Sequence, residues 1–119
     1  MIGIYVITNT VTGEQYVGMS QNVAYRFWQH REMLRKGQHH NSLLQVAWNR
    51  DGEAAFLFEG LEEMPPSTEQ DWHLRNQEEL RWLRYAEWQW QKKLNPAYKG
   101  IVGRHPSVYV EEDIPMRAT

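Results

Sequence analysis

The chain has 119 residues, the size of one domain, and is long enough to bury a core without covalent cross-links. It contains no cysteine, so disulfides, thiolate zinc sites and a cysteine nucleophile are excluded. It has no apolar run of membrane-spanning length and no basic leader followed by an apolar segment. We therefore expect a cytoplasmic protein that does not enter a membrane.

Charge is distributed unevenly along the chain, although the net charge is only -2. Residues 21–50 carry five basic side chains and one acidic side chain, whereas residues 51–90 carry three arginines and ten acids. Such segregation permits a basic face for nucleic acid on an acidic body. Two ordinary solvated helix faces of opposite sign explain the charges equally well.

Two short apolar runs, residues 2–7 and 15–18, flank a Thr-Gly turn and predict a β-hairpin. Each run places a tyrosine, Tyr5 or Tyr16, close to a glycine. Glycine gives a large ring room, so these tyrosines fit ordinary core packing as well as a functional site. A third strand is predicted over residues 54–61, where phenylalanines alternate with other residues.

A helix is predicted from Val23 to about Lys36, with Gly37 ending it. Two polar residues, Arg26 and His30, lie four apart on its apolar side. An inward-facing cation and imidazole are costly unless they have partners or line a cleft. Arg26 could instead extend to water from the edge of the helix.

The next loop contains the adjacent histidines His39 and His40. Their spacing matches no zinc pattern, but one of them could contact a phosphate or carry a proton. A short helix capped by Asn41 or Ser42 is predicted to follow. Its buried side is expected to consist of Leu43, Leu44, Ala47 and Trp48.

The longest helical segment is predicted from about Thr68 to Leu94, with Ser67 or Thr68 opening it through a capping box. A break near Asn76 into two helices remains open. A carboxylate in an apolar stripe is expensive to bury unless it binds a metal, a base or a proton. Glu87 occupies that position, on the face formed by Leu80, Leu83, Trp90 and Leu94.

The polar side chains that these patterns point inward suit the hydrolysis of a phosphodiester. An arginine can stabilise the negative charge of the transition state, and a carboxylate can hold a hard divalent cation. The cation stabilises the leaving oxygen, while a tyrosine or histidine orients or deprotonates the attacking water. The candidate set is Tyr5, Tyr16, Arg26, His30, His39 and Glu87.

The triplets Gly3-Ile4-Tyr5 and Tyr16-Val17-Gly18 resemble the paired motif that names the GIY-YIG nuclease superfamily. Arg26 matches an arginine that the family places on its first helix. His30, and the stretch that ends at His39, resemble the homing-endonuclease branch. The resemblance covers about residues 2–99.

The metal-binding glutamate of the family lies on a later helix and precedes an aromatic residue, a leucine and a proline. Glu87 matches it because Leu94 and Pro96 follow at the family's spacing. Glu79, with Trp82 after it, is a second possible alignment.

The resemblance implies an α/β (α+β) fold with a small three-stranded antiparallel sheet flanked by helices, as one nuclease domain over residues 1–99. It implies a metal-dependent endonuclease that hydrolyses DNA, with Mg²⁺ or Mn²⁺ on Glu87. In that reading Tyr5 activates or orients the water with help from Tyr16 or His30. Arg26 stabilises the transition state, and His39 contacts the scissile phosphate. Expected DNA contacts are Arg26, Arg31, Arg35, Lys36 and His40.

Lys99 stands where the family usually has an asparagine, which leaves open a nucleic-acid-binding module that has lost turnover. A protein-interaction domain using the tryptophan-rich helix is a third class. Residues 100–119 are expected to form a tail, either disordered or with an edge strand at Val108-Tyr109-Val110. The chain could be a free-standing nuclease, a fragment, or a subunit that works with a separate DNA-binding domain or partner subunit. A phage-encoded protein would act in the host-cell cytoplasm.

Overall fold

The computed structural model describes residues 1–98. Three strands form one antiparallel sheet in the order β2-β1-β3, and helices cover both of its faces. The predicted three-stranded antiparallel sheet flanked by helices is confirmed. Lys99 and the expected edge strand at Val108-Tyr109-Val110 lie outside the described residues.

The hairpin consists of β1 (Gly3–Asn9) and β2 (Gln15–Ser20), as predicted. Gly13 adopts a φ of +82° in the turn, a conformation that glycine adopts without strain. The register pairs Tyr5 with Gly18 and places Tyr16 opposite Ile7. Tyr5 and Tyr16 therefore emerge on the same face of the sheet, which is the first requirement for a joint site.

The third strand, β3 (Phe56–Glu63), begins two residues later than predicted. Residues 53–55 form a short 3-10 turn that delays entry into the sheet. β1 pairs with β3 through a bulge between Ile4 and Tyr5. A Cβ atom on Gly3 would collide with the main-chain carbonyl oxygen of Glu62, so this glycine permits the close pairing.

Alternation along β1 divides the apolar core into two clusters. Tyr5 and Ile7 belong to the cluster that α1 and α2 complete, whereas Ile4 and Val6 belong to the cluster that α3 completes. The first cluster includes the helical residues Val23, Leu34, Leu44, Ala47 and Trp48, and the second includes Leu83 and Ala86.

Helix α1 spans Val23–Arg35 and is capped by Asn22, whose side chain accepts the main-chain N–H of Tyr25 at 3.0 Å. Helix α2 spans Ser42–Asp51 and is capped by Asn41. The predicted burial of Leu43 is wrong, since this side chain is 58% exposed. At about 100° per residue, the buried arc of α2 runs from Ala47 through Leu44 to Gln45, and Leu43 lies beyond its Ala47 edge.

Helix α3 spans Trp72–Leu94 without a break, so the alternative of two helices is excluded. It begins four residues later than predicted, and the predicted cap at Ser67 or Thr68 is wrong. The Asp71 carboxylate is the N-cap and accepts the N–H groups of His73 and Leu74. Asn95 ends the helix in the left-handed conformation. No helix within residues 1–98 has the length and apolar character needed to cross a membrane.

Candidate active site

The Tyr5 ring can occupy its position only because Gly18 has no side chain. A Cβ atom there would lie 2.5 Å from both Cζ and Oη of Tyr5. The Tyr5 ring therefore crosses its strand neighbour and rests 6.4 Å from the Tyr16 ring, nearly parallel to it. Sequence alone left these tyrosines open between packing and function, and the structure brings their rings together over one glycine.

A line of hydrogen bonds runs from the sheet into the loop before α2. The Tyr5 hydroxyl lies 2.6 Å from Nε2 of His30, and Nδ1 of His30 lies 2.7 Å from Nε2 of His39. His30 is fully buried, and His39 is 7% exposed. His30 faces inward, as its helical spacing predicted, and its two ring nitrogens contact Tyr5 and His39.

The loop that carries His39 is fixed from two sides. The main-chain N–H of Asn41 donates to Nδ1 of His39 at 3.0 Å, while the Asn41 side chain caps α2. The Gln45 side chain accepts the main-chain N–H of His39 and donates to the carbonyl oxygen of Leu34. Sequence reasoning missed Gln45 as a site residue, and its only signal was a polar residue beside the apolar stripe of α2.

Arg26 acts electrostatically on both tyrosines and on the histidines. Burial raises the pKa of Tyr5 and of Tyr16, and the Arg26 charge opposes both shifts. Burial lowers the pKa of His30 to about 2 and that of His39 to about 4, and Arg26 contributes to each decrease. Both rings are therefore neutral near pH 7. Arg26 itself is half-buried, and its guanidinium donates to the Gln29 side chain at 3.1 Å.

Glu87 approaches this cluster from α3, the helix on the opposite face of the sheet. Its charge raises the pKa of both Tyr5 and Tyr16, which places its carboxylate in their electrostatic neighbourhood. Glu79 lies two turns earlier on α3, about 12 Å along the axis, and accepts a hydrogen bond from Gln21 at 2.9 Å. The structure thus brings Glu87, and not Glu79, to the tyrosines.

The Glu87 carboxyl is half-buried, and its ionisation depends mainly on that burial. Burial raises its pKa to about 7, and the positive charge of Arg84 only partly opposes the shift. No group of three or more acidic or histidine ligands that could hold a metal occurs within residues 1–98. A cation on Glu87 would therefore complete its shell mainly with water and substrate oxygens, as Mg²⁺ commonly does.

The remaining basic side chains of the helices differ in how freely they can meet a ligand. Arg31 stacks on the Phe58 ring at 4.2 Å, and Arg35 forms ion pairs with Glu32 and Glu53. Lys36 is exposed at the end of α1. The exposed ring of His40 stacks on His39, with ring centres 4.4 Å apart, which places it beside the buried histidines.

The segment after α3 is tied to the hairpin by contacts that sequence reasoning missed. The Asn9 side chain, fully buried, donates to Asp51 and to the Tyr98 hydroxyl. Tyr98 donates its hydroxyl to Glu14 at 3.1 Å and its main-chain N–H to the carbonyl oxygen of Gln15, next to Tyr16. An asparagine within an apolar strand was the available signal.

Comparison with known proteins identifies the family to which this domain belongs. The model of the GIY-YIG catalytic domain matches residues 1–100. The chain belongs to the GIY-YIG family. The GIY-YIG assignment confirms the resemblance carried by the hairpin triplets, and it confirms a nuclease-type catalytic domain.

Solved structures of related GIY-YIG domains have the same fold as this chain. The catalytic domain of homing endonuclease I-TevI is 30% identical, with a TM-score of 0.64, and the match covers 86% of this chain and all of that domain. A single-substitution variant of the same domain has 30% identity and a TM-score of 0.62, with 87% and 97% of the two chains covered. A search of curated proteins finds no significant match.

Proposed function

We propose that this GIY-YIG domain is a divalent-metal-dependent endonuclease that hydrolyses DNA phosphodiester bonds. The observation that carries the proposal is the convergence of Tyr5, Tyr16, Arg26 and Glu87 in one electrostatic neighbourhood, although Glu87 comes from the opposite face of the sheet. Packing within one core does not require such a convergence. The similar catalytic domain of I-TevI belongs to a homing endonuclease, which supports the choice of substrate class.

Glu87 would hold Mg²⁺ or Mn²⁺, and the donor chemistry fits such an ion. A partly buried carboxylate with a raised pKa gains stability from a nearby cation, and hard divalent ions prefer oxygen ligands. When bound, such an ion supplies Lewis-acid stabilisation of the leaving oxygen.

The side chains of the chain itself perform the other tasks. Arg26 faces both tyrosines and stabilises the charge that develops on the phosphoryl oxygens in the transition state. Tyr5 would orient the attacking water through its hydroxyl, and Tyr16 and His30 hold its ring and hydroxyl in position. His39 fixes His30 from within the loop and holds His40 at the rim, where the exposed His40 ring would meet the scissile phosphate. Both ring nitrogens of His39 are already engaged, so it acts on the phosphate only through this placement.

The DNA backbone outside the cleft is bound by exposed basic groups. Lys36 and His40 are free to meet phosphates, whereas Arg31 and Arg35 must first leave Phe58 and the acidic side chains that they contact. Selection of a target by a separate DNA-binding domain or a partner subunit is part of this proposal.

Cleavage of supercoiled plasmid, with Mg²⁺ and with a chelator, tests the proposal. We expect nicked or linear product with Mg²⁺ only, and its loss in Glu87→Ala while the circular dichroism spectrum and unfolding midpoint are retained. The matched control is Glu79→Ala, on the same helix, which keeps its activity. Metal-dependent cleavage retained by Glu87→Ala would contradict the assignment of this residue.

A binding module without turnover is the second candidate, and Lys99 at the usual asparagine position favours it. Such a module would bind duplex DNA with a steep salt dependence and leave the plasmid intact with either metal. Absence of DNA affinity altogether would favour the third class, a protein-interaction domain.

A further inference from the structure

The hydrogen-bond line from Asn41 to Tyr5 has a direction that the donors and acceptors determine. A main-chain N–H can only donate, and that of Asn41 donates to Nδ1 of His39 at 3.0 Å. A neutral His39 must therefore carry its single proton on Nε2. Both histidines are neutral near pH 7, since burial lowers the pKa of each.

The next two bonds follow from the first. Nε2–H of His39 donates to Nδ1 of His30 at 2.7 Å, so the proton of His30 is on Nε2. Nε2–H of His30 then donates to the Tyr5 hydroxyl oxygen at 2.6 Å. Tyr5 is thus an acceptor on its inner side, and its own proton is directed elsewhere. A hydrogen bond from Tyr5 acts to lower the pKa of Tyr16, which agrees with donation toward the second tyrosine and the cleft.

We propose that the main-chain N–H of Asn41, acting through His39 and His30, fixes Tyr5 as a donor to the cleft and prevents His30 from taking the tyrosine proton. The group that Tyr5 would address is an oxygen that accepts a hydrogen bond, either that of the attacking water or a phosphoryl oxygen of the substrate. The catalytic meaning rests on the proposed function, whereas the tautomers themselves do not.

The positions of the protons explain why His30 and His39 cannot carry a proton away from Tyr5. A proton accepted by His30 from Tyr5 would require Nδ1–H of His30 to face Nε2–H of His39. Passing that proton onward would leave Nδ1–H of His39 facing the N–H of Asn41. Each arrangement sets two donors against each other in a buried site, which is costly. The proton of the attacking water therefore leaves by a route outside this pair.

The surrounding contacts hold the direction in place. Asn41 is immobilised because its side chain caps α2 at Leu44, and Gln45 holds the main chain of His39 at 3.0 Å. Gln45 in turn donates to the carbonyl oxygen of Leu34 and to Asn49. Asn41 and Gln45 are positioning residues in this account, because they act on Tyr5 only through the imidazoles.

Nitrogen NMR of the full chain, with ¹⁵N-labelled histidine, reads the tautomers directly near pH 7. Loss of signals in His30→Gln and His39→Gln assigns the two rings. We expect one protonated ring nitrogen in each, located at Nε2 in both. A proton on Nδ1 of either ring, or a doubly protonated ring, would overturn the proposal.

Two variants at one position test the direction of control. In His39→Gln the side-chain amide still donates, so His30 keeps its proton on Nε2. In His39→Glu the carboxylate accepts, so the His30 proton moves to Nδ1. An unchanged His30 tautomer in a folded His39→Glu variant would contradict control through this bond. Because these readings need no cleavage, absence of nuclease activity in the native protein would count against the proposed function alone.

Discussion

The two faces of the sheet contribute to the cleft in different ways. On the α1 and α2 face, the tyrosine hydroxyl, both imidazoles and a main-chain N–H are joined by hydrogen bonds of 2.6–3.0 Å. On the α3 face, burial and the charge of Arg84 determine the state of the Glu87 carboxyl. Hydrogen bonds fix geometry on one side, and burial adjusts charge on the other. Substitutions on the two sides should therefore impair cleavage and stability in different ways.

The largest expected effect is the loss of the arginine that faces both tyrosines. Arg26→Ala should lower kcat by about 10²–10³-fold, because a charged donor aimed at developing negative charge is lost. Single-turnover cleavage of a labelled duplex measures it. Arg35→Ala is the matched control on the same helix, and its effect should stay below about tenfold because Glu32 and Glu53 already occupy the guanidinium. Equal losses in both variants would remove the special role of Arg26.

The next effect concerns the room that the hairpin gives Tyr5. Gly18→Ala should destabilise the fold by about 1–3 kcal/mol, because the new methyl group meets the Tyr5 ring and hydroxyl at 2.5 Å. Urea unfolding measures the change. Gly60→Ala is the control, since its Cβ meets only the flexible end of Met1 at 3.0 Å, and its cost should remain below about 1 kcal/mol. An unchanged free energy of unfolding in Gly18→Ala would mean that Tyr5 can move aside without destabilising the fold.

The smallest effect is a change in how stability depends on pH. The folded pKa of His39, about 4, lies below the ordinary value of 6.5, so the unfolded chain binds more protons as pH falls below 6.5. Stability contributed by the neutral ring is full above pH 6.5 and declines toward pH 4. From pH 6.5 to 4.5 the native protein should lose about 1–2 kcal/mol more than His39→Gln.

Urea unfolding midpoints at several pH values measure this difference. The raised pKa of Glu87 acts with the opposite sign, since the folded chain binds more protons between pH 4.5 and 7. Both proteins retain Glu87, His30 and His40, and the loss of the positive charge that His39 gains at low pH removes one of the causes that lower the pKa of His30. Identical pH profiles would show that His39 titrates normally in the folded chain.

Periodicity predicted the elements and the inward faces of this fold. Alternation in the hairpin and the spacing of Arg26, His30 and Glu87 were sufficient to place these side chains, because a regular helix or strand converts spacing into direction. The start of α3 was missed because two residue types that cap well, Ser67 and Asp71, stand four apart, and propensity does not choose between them.

The polar contacts that fix the site were beyond sequence reasoning. Gln45 reaches His39 and Leu34 only after α1 and α2 have packed, and Asn9 meets Tyr98 across 89 positions of the chain. Such bonds depend on side-chain rotamers in a packed interior, which no local pattern encodes. Glu87, by contrast, was preferred to Glu79 on sequence alone, because Leu94 and Pro96 follow it at the family's spacing.

The position of a bound cation tests the central claim most directly. In crystals of the Arg26→Ala variant with a short DNA duplex and Mn²⁺, cleavage is slowed, and anomalous scattering locates the ion. Our account predicts Mn²⁺ about 2.0–2.5 Å from a carboxylate oxygen of Glu87, with the tyrosine hydroxyls and a DNA phosphate beside it. An ion at Glu79, or DNA bound in the cleft with no ion at Glu87, would contradict it.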